Sequence, residues 1–88
     1  MAKRNVTRMN SKNRTVVVTG GAGFIGSRLV ERLVGENEVR VVDDLSAGER
    51  ERVPDEASLH VADVLDYDAV REAFEGAEAV FHLSANPD

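Results

Sequence analysis

The chain has 88 residues, a net charge of −5 and no cysteine, which leaves room for one small domain and excludes a disulfide framework or a thiolate metal site. Its two histidines, His60 and His82, are too few and too far apart in sequence to suggest a metal centre. No apolar run approaches the roughly 20 residues of a membrane span and no signal peptide is visible, so the expected setting is the cytoplasm, with no membrane partner.

Residues 1–14 carry Lys3, Arg4, Arg8, Lys12 and Arg14, and no acid precedes Glu31. With no apolar periodicity, this stretch reads as a basic disordered tail. It has no aromatic residue and no folded partner module, so no nucleic acid is expected as a partner. From Thr15 on, six arginines and no lysine stand against 16 acids. Such a body suits a high-salt cytoplasm or is an ordinary acidic domain, because charge bears on solubility rather than fold.

Thr15 to Thr19 is apolar and β-branched, which predicts a parallel strand covered on both faces. Phe24 to about Val34 predicts a helix with Ile25, Leu29 and Leu33 on one stripe, Val30 and Val34 beside it, and Gly35 as its stop. A second apolar run, Val39 to Val42, ends at Asp43 and Asp44, and Leu45-Ser46-Ala47-Gly48 reads as a loop. Glu49 to Val53 predicts one helical turn, ended by Pro54. A short strand near Ser58 to Ala62 leads to a helix of about Tyr67 to Glu75. Asp66 caps that helix, Gly76 stops it, and it presents Val70, Ala73 and Phe74. The last strand is Ala79 to Leu83. This alternation implies an α/β fold with a parallel sheet and right-handed crossovers, in strand order 3-2-1-4 if doubly wound.

The chemistry concentrates where the first strand meets the first helix, in Thr19-Gly20-Gly21-Ala22-Gly23-Phe24-Ile25-Gly26. Gly20 suits a tight turn, Gly23 lets main chain approach a phosphate, and Gly26 lets the helix pack hard against the strand. The free N–H groups and positive end of that helix then face a pyrophosphate. An acid at the end of the next strand, Asp43, stands where an adenosine ribose needs a carboxylate. Asp43 and Asp44 together repel a 2′-phosphate, which favours NAD over NADP.

These residues resemble the T-G-x-x-G-x-x-G turn of the extended short-chain dehydrogenases. More narrowly, they resemble the NAD-dependent nucleotide-sugar epimerases and dehydratases. The likeness continues through Val42-Asp43-Asp44-Leu45-Ser46-Ala47-Gly48, Ala62-Asp63-Val64 and Phe81-His82-Leu83-Ser84-Ala85. It implies a truncated first half of a Rossmann-type NAD-binding domain over residues 15–88. By this resemblance Gly20, Gly23 and Gly26 form the turn, and Phe24 and Ile25 give backbone contacts to the pyrophosphate. Asp43 holds the ribose, while Asp44, Leu45, Ser46 and Gly48 line that end of the pocket. Asp63 and Val64 meet the adenine, and Leu83, Ser84 and Ala85 pass along the nicotinamide side. For Asp63 the competing reading is a helix-entry acid, and His82 reads as a core histidine.

In the family a Tyr-x-x-x-Lys pair on a later helix moves the proton while NAD takes and returns a hydride at sugar C4. Here the only tyrosine is Tyr67, residue 71 is Arg and the last lysine is Lys12. The expectation is therefore the NAD-binding segment of an epimerase or dehydratase, catalytically incomplete and taking a nucleotide sugar only in a full-length form. The alternatives are a non-catalytic NAD(H)-sensing module and an NADP-dependent reductase of the same superfamily. The last strand, as a bare apolar edge, is expected to drive self-association.

Overall fold

The computed structural model describes residues 13–83, and within them the valine pattern decides which face of the sheet each helix covers. Strand β1 (Thr15–Thr19) runs directly into the glycine turn and helix α1 (Phe24–Leu33). Strand β2 (Glu38–Asp43) follows, then a single 3-10 turn, Arg50–Arg52. Strand β3 (Ser58–Val61), helix α2 (Tyr67–Phe74) and strand β4 (Ala79–His82) complete the order. All pairings are parallel and the sheet runs β3-β2-β1-β4, as the alternation predicts.

Successive strand residues point to opposite faces, and the two cores divide accordingly. Val16, Val18, Val39 and Val41 join Val30 of α1 on one face. Val17 and Val42 join Val70 and Ala73 of α2 on the other. Val17 and Val18 are wholly buried, which explains why β1 is apolar without alternation. Each such valine contributes roughly 1.5–2 kcal/mol on leaving water.

Arg40 shares the α2 face of β2 with Val42. Its Nη1 donates to the carbonyls of Ala73 (3.0 Å) and Glu75 (2.6 Å), and its Nε pairs with Glu38 at 3.1 Å. A cation there satisfies carbonyls that the last turn of α2 leaves open.

Three expectations need correction. Ile25 is 72% exposed rather than on the buried stripe; Gly26 and Ser27 take the close contact instead, because α1 meets the sheet through its backbone at this end. Gly35 does not stop α1 in a left-handed conformation. The Val34 N–H closes the last turn on Val30 O, and the Asn37 side chain donates to Leu33 O at 3.0 Å. The expected tail through Arg14 ends sooner. Asn13 N–H donates to Glu36 O, and Arg14 N–H to Asn37 Oδ1, so both residues are tied to the turn that precedes β2. The rest of that stretch, residues 1–12, lies outside the described residues. Gly76 behaves as expected, with φ +77° after α2.

Candidate functional site

In this strand order the chain leaves β1 toward β2 on one side, while β4 returns on the other. The carboxyl ends of β1 and β4 therefore flank the place where the winding reverses, which is where open α/β sheets bind ligands. The glycine turn sits there. Gly20 has φ +80°, a conformation that costs a residue with a Cβ about 1 kcal/mol or more. A Cβ on Gly26 would lie 2.2 Å from Gly20 O, so no side chain fits and α1 is brought hard against the turn.

The turn leaves the start of α1 bare. Gly23 is its N-cap with no side-chain hydrogen bond, and no acid occupies the first turn. The first helical bond runs from Ser27 N to Gly23 O at 2.9 Å. Among the described residues, no acceptor meets the N–H groups of Phe24, Ile25 or Gly26. Three donors and the positive end of the helix dipole thus converge on one spot, an arrangement suited to an anion. The exposed Phe24 side chain carries two cations, with the Arg28 and Arg52 guanidiniums 5.1 and 5.9 Å from its ring centroid.

Asp43 closes the next strand and is buried, 8% exposed. Its Oδ2 accepts from Ala22 N–H at 2.9 Å and its Oδ1 from Leu45 N–H at 2.8 Å. A carboxylate offers about four acceptor positions, so two remain. Leu45 has φ +65°, a left-handed backbone that costs a leucine about 1–2 kcal/mol. The loop then folds back on the turn: Glu49 N–H donates to Ala22 O at 3.0 Å. A Cβ on Gly48 would come within 2.8 Å of the Ala22 backbone. Asp44, by contrast, is exposed and faces its own loop. The Ser46 N–H (2.9 Å) and then the Ser46 hydroxyl (2.8 Å) donate to its Oδ1 and hold its pKa below the ordinary carboxylate value.

Beyond β3, Ala62 N–H donates to Asp43 O at 3.2 Å, so Asp63 and Val64 start where Asp43 ends. Asp63 is exposed, its Oδ1 accepting from Leu65 N–H at 2.9 Å. Helix entry belongs to Asp66, whose carboxylate accepts from Ala69 N–H. Val64 faces an apolar groove of about 520 Å³ between α2 and β4, lined also by Tyr67, Val70, Phe74 and Val80. That groove contains no residue of the glycine turn. Leu83 N–H donates to Thr19 O at 2.9 Å, which brings Leu83 beside the turn. Ser84 and Ala85 lie outside the described residues.

His82 is exposed rather than core, because β4 is the sheet's outer strand among the described residues. Its Nδ1 shares a 2.7 Å hydrogen bond with the buried Thr19 hydroxyl. Sequence reasoning did not find this pair, nor the part played by Ala22. The available signal was the run of small residues from Gly20 to Gly23, where only an Ala-sized side chain can be wholly buried under Gly48.

Comparison with known proteins finds the same fold in enzymes of one family. The family model described as "NAD dependent epimerase/dehydratase family" matches residues 16–88. A UDP-glucose 4-epimerase of Streptomyces lividans is 42% identical over 73 residues, covering 78% of this chain and 22% of its own length. An ADP-L-glycero-D-manno-heptose-6-epimerase of Alkalilimnicola ehrlichii is 47% identical over 78 residues, covering 80% of this chain and 24% of its own. The crystal structure of the Thermus thermophilus UDP-glucose 4-epimerase complex with NAD superposes with a TM-score of 0.73 at 42% identity. That match covers 82% of this chain and 24% of the enzyme. The chain thus spans about a quarter of the length of these relatives.

Proposed function

The chain belongs to the NAD-dependent epimerase/dehydratase family, and from that premise we propose that it is the dinucleotide-binding start of a nucleotide-sugar epimerase or dehydratase. The observation that carries the reading is the bare amino end of α1, where the N–H groups of Phe24, Ile25 and Gly26 lack acceptors among the described residues. The NAD pyrophosphate takes these donors. The two open acceptor positions of Asp43 take the adenosine ribose hydroxyls, with Asp44, Leu45, Ser46 and Gly48 walling that end. Asp63 and Val64 flank the adenine, and Leu83, beside the turn, lies on the nicotinamide side. The turn fits the group: a Cβ at Gly26 would strike the Gly20 carbonyl, so only glycine there lets α1 start hard against the turn with its donors left open.

NAD supplies hydride acceptance and return at the sugar when bound. The residues of this chain bind and orient the cofactor but offer no Tyr-x-x-x-Lys pair to move the proton. NAD binding without turnover of UDP-glucose or UDP-galactose is therefore expected. Titration calorimetry with NAD and NADP tests the assignment. NAD should bind more tightly, because a 2′-phosphate meets the charges of Asp43 and Asp44; equal or tighter NADP binding, or no NAD binding, would overturn it.

A second proposal concerns β4. Among the described residues β4 is the outer strand, with Val80 and Phe81 in it and Leu83 just past it between 40% and 47% exposed, and an apolar edge of this kind is a template for another strand. The chain pairs with a second copy through this edge. Light scattering across a concentration series should show association, and a monomer at every concentration would count against it.

A further inference from the structure

We propose that Asp43 is a positioning residue for the pyrophosphate grip, in addition to any bond it makes to the ribose. The inference rests on the NAD-binding reading above. An acid that served only the sugar would not need to be nine-tenths buried with both oxygens already accepting from backbone. Yet Oδ2 holds Ala22 N–H, inside the glycine turn, and Oδ1 holds Leu45 N–H, inside the facing loop. One carboxylate therefore ties together the two segments that form the walls of the site. The tie is closed from the other side by Glu49 N–H on Ala22 O and by Gly48 seated against Ala22. Leu45 stays in a left-handed backbone within this tie, the kind of local strain that persists only where surrounding bonds over-determine it.

Ala22 immediately precedes Gly23, the N-cap of α1. Fixing the Ala22 N–H fixes the peptide planes that lead into Phe24, Ile25 and Gly26, and so the direction of the three donors. The grip is then set before ligand arrives, and binding does not have to order it. The pyrophosphate end and the ribose end of the site are coupled through this one side chain. Loss of the carboxylate weakens even a ligand that has no ribose.

Inorganic pyrophosphate is the probe, compared with NAD on the wild-type chain and on Asp43→Asn. A carboxamide can accept only one of the two N–H groups and turns an NH₂ toward the other, yet it still offers hydrogen bonds to a hydroxyl. The expected result is a fall of about tenfold in pyrophosphate affinity and at least as large a fall for NAD. Pyrophosphate affinity within twofold of wild type, with NAD affinity reduced, would show a ribose contact alone and overturn the inference. Wild-type chain that binds NAD but not pyrophosphate would also overturn it, while failure to bind NAD at all overturns the functional reading beneath it. Should Asp43→Asn fail to fold, labelled wild-type chain decides by NMR. Through-hydrogen-bond couplings from the Ala22 and Leu45 amides to the Asp43 carboxylate carbon should persist at NAD saturation, and their loss on binding would mean that Asp43 releases the turn.

Discussion

Helices α1 and α2 start at the same edge of the sheet, each just past the carboxyl end of a parallel strand, and their first turns are built in opposite ways. At α2, Asp66 accepts from Ala69 N–H and Asp68 adds a second negative charge to the first turn. At α1 the N-cap is Gly23, no side chain bonds to the first turn and no acid lies in it. The positive end of α2 is answered by its own sequence. That of α1 is left for something from outside the chain, and the dipole and orphan donors make an anion the natural occupant.

The most damaging change should be the one that breaks the close approach of α1. In Gly26→Ala the added Cβ meets Gly20 O, a backbone atom that cannot rotate away. The turn must shift, at an expected cost of about 2–3 kcal/mol in urea unfolding. NAD affinity should fall about 100-fold or more, since the three donors lose their common direction. A variant that binds NAD normally would show that the backbone does not make the grip.

A subtler change gives α1 the chemistry of α2. Gly23→Asp intrudes far less, because φ is −79° and a Cβ there meets only Gly20 O at 3.3 Å, a contact relieved by a shift of a few tenths of an ångström. The new carboxylate caps donors that the pyrophosphate needs and places a negative charge beside it. Stability should move by only a few tenths of a kcal/mol, while NAD affinity drops roughly 30-fold. Calorimetry and thermal unfolding on one sample separate the two effects. A loss of stability matching the loss of binding would mean that the turn was damaged rather than occupied.

Much of this contrast was legible in the sequence. The N-cap aspartate, the absence of any acid between Thr15 and Val30, and the glycine spacing can all be read from residue types and positions. The uninterrupted valines of β1 announced a strand covered on both faces. What could not be read was set by contacts between segments distant in the chain. Ile25 has helical spacing for the buried stripe, but Gly26 brings the backbone so close that the contact passes to its neighbours. His82 looks like a core residue until the strand order makes β4 the outer strand among the described residues. Asp43 announces a sugar contact by its position, and only the folded loop shows that its oxygens already hold Ala22 and Leu45.

The reverse experiment strips α2 of its cap. Asp66→Ala leaves the Ala69 N–H without its acceptor and should cost about 1 kcal/mol of stability. Because α2 begins away from the glycine turn, NAD affinity should stay within about twofold. The pair Gly23→Asp and Asp66→Ala thus predicts a crossed pattern, in which one variant loses binding and the other stability. Loss of NAD affinity in Asp66→Ala would place the α2 terminus within the site and dissolve the contrast between the helices.

The smallest effect tests whether an acid from the neighbouring loop caps α1 after all. Asp44 is the exposed candidate, and its carboxylate is engaged by the Ser46 N–H and hydroxyl, which lower its pKa from the ordinary 3.8. Because the folded-state value is depressed, the stabilisation this turn gives the loop is fully present above the unfolded pKa. It is lost as pH falls through the lower folded value. The Ser46 amide resonance should therefore hold steady from neutral pH downward and shift with a midpoint below 3.8, while the Phe24, Ile25 and Gly26 amides do not follow that titration. If those three amides moved with it instead, Asp44 would be reaching the helix end, and α1 would be capped in the manner of α2.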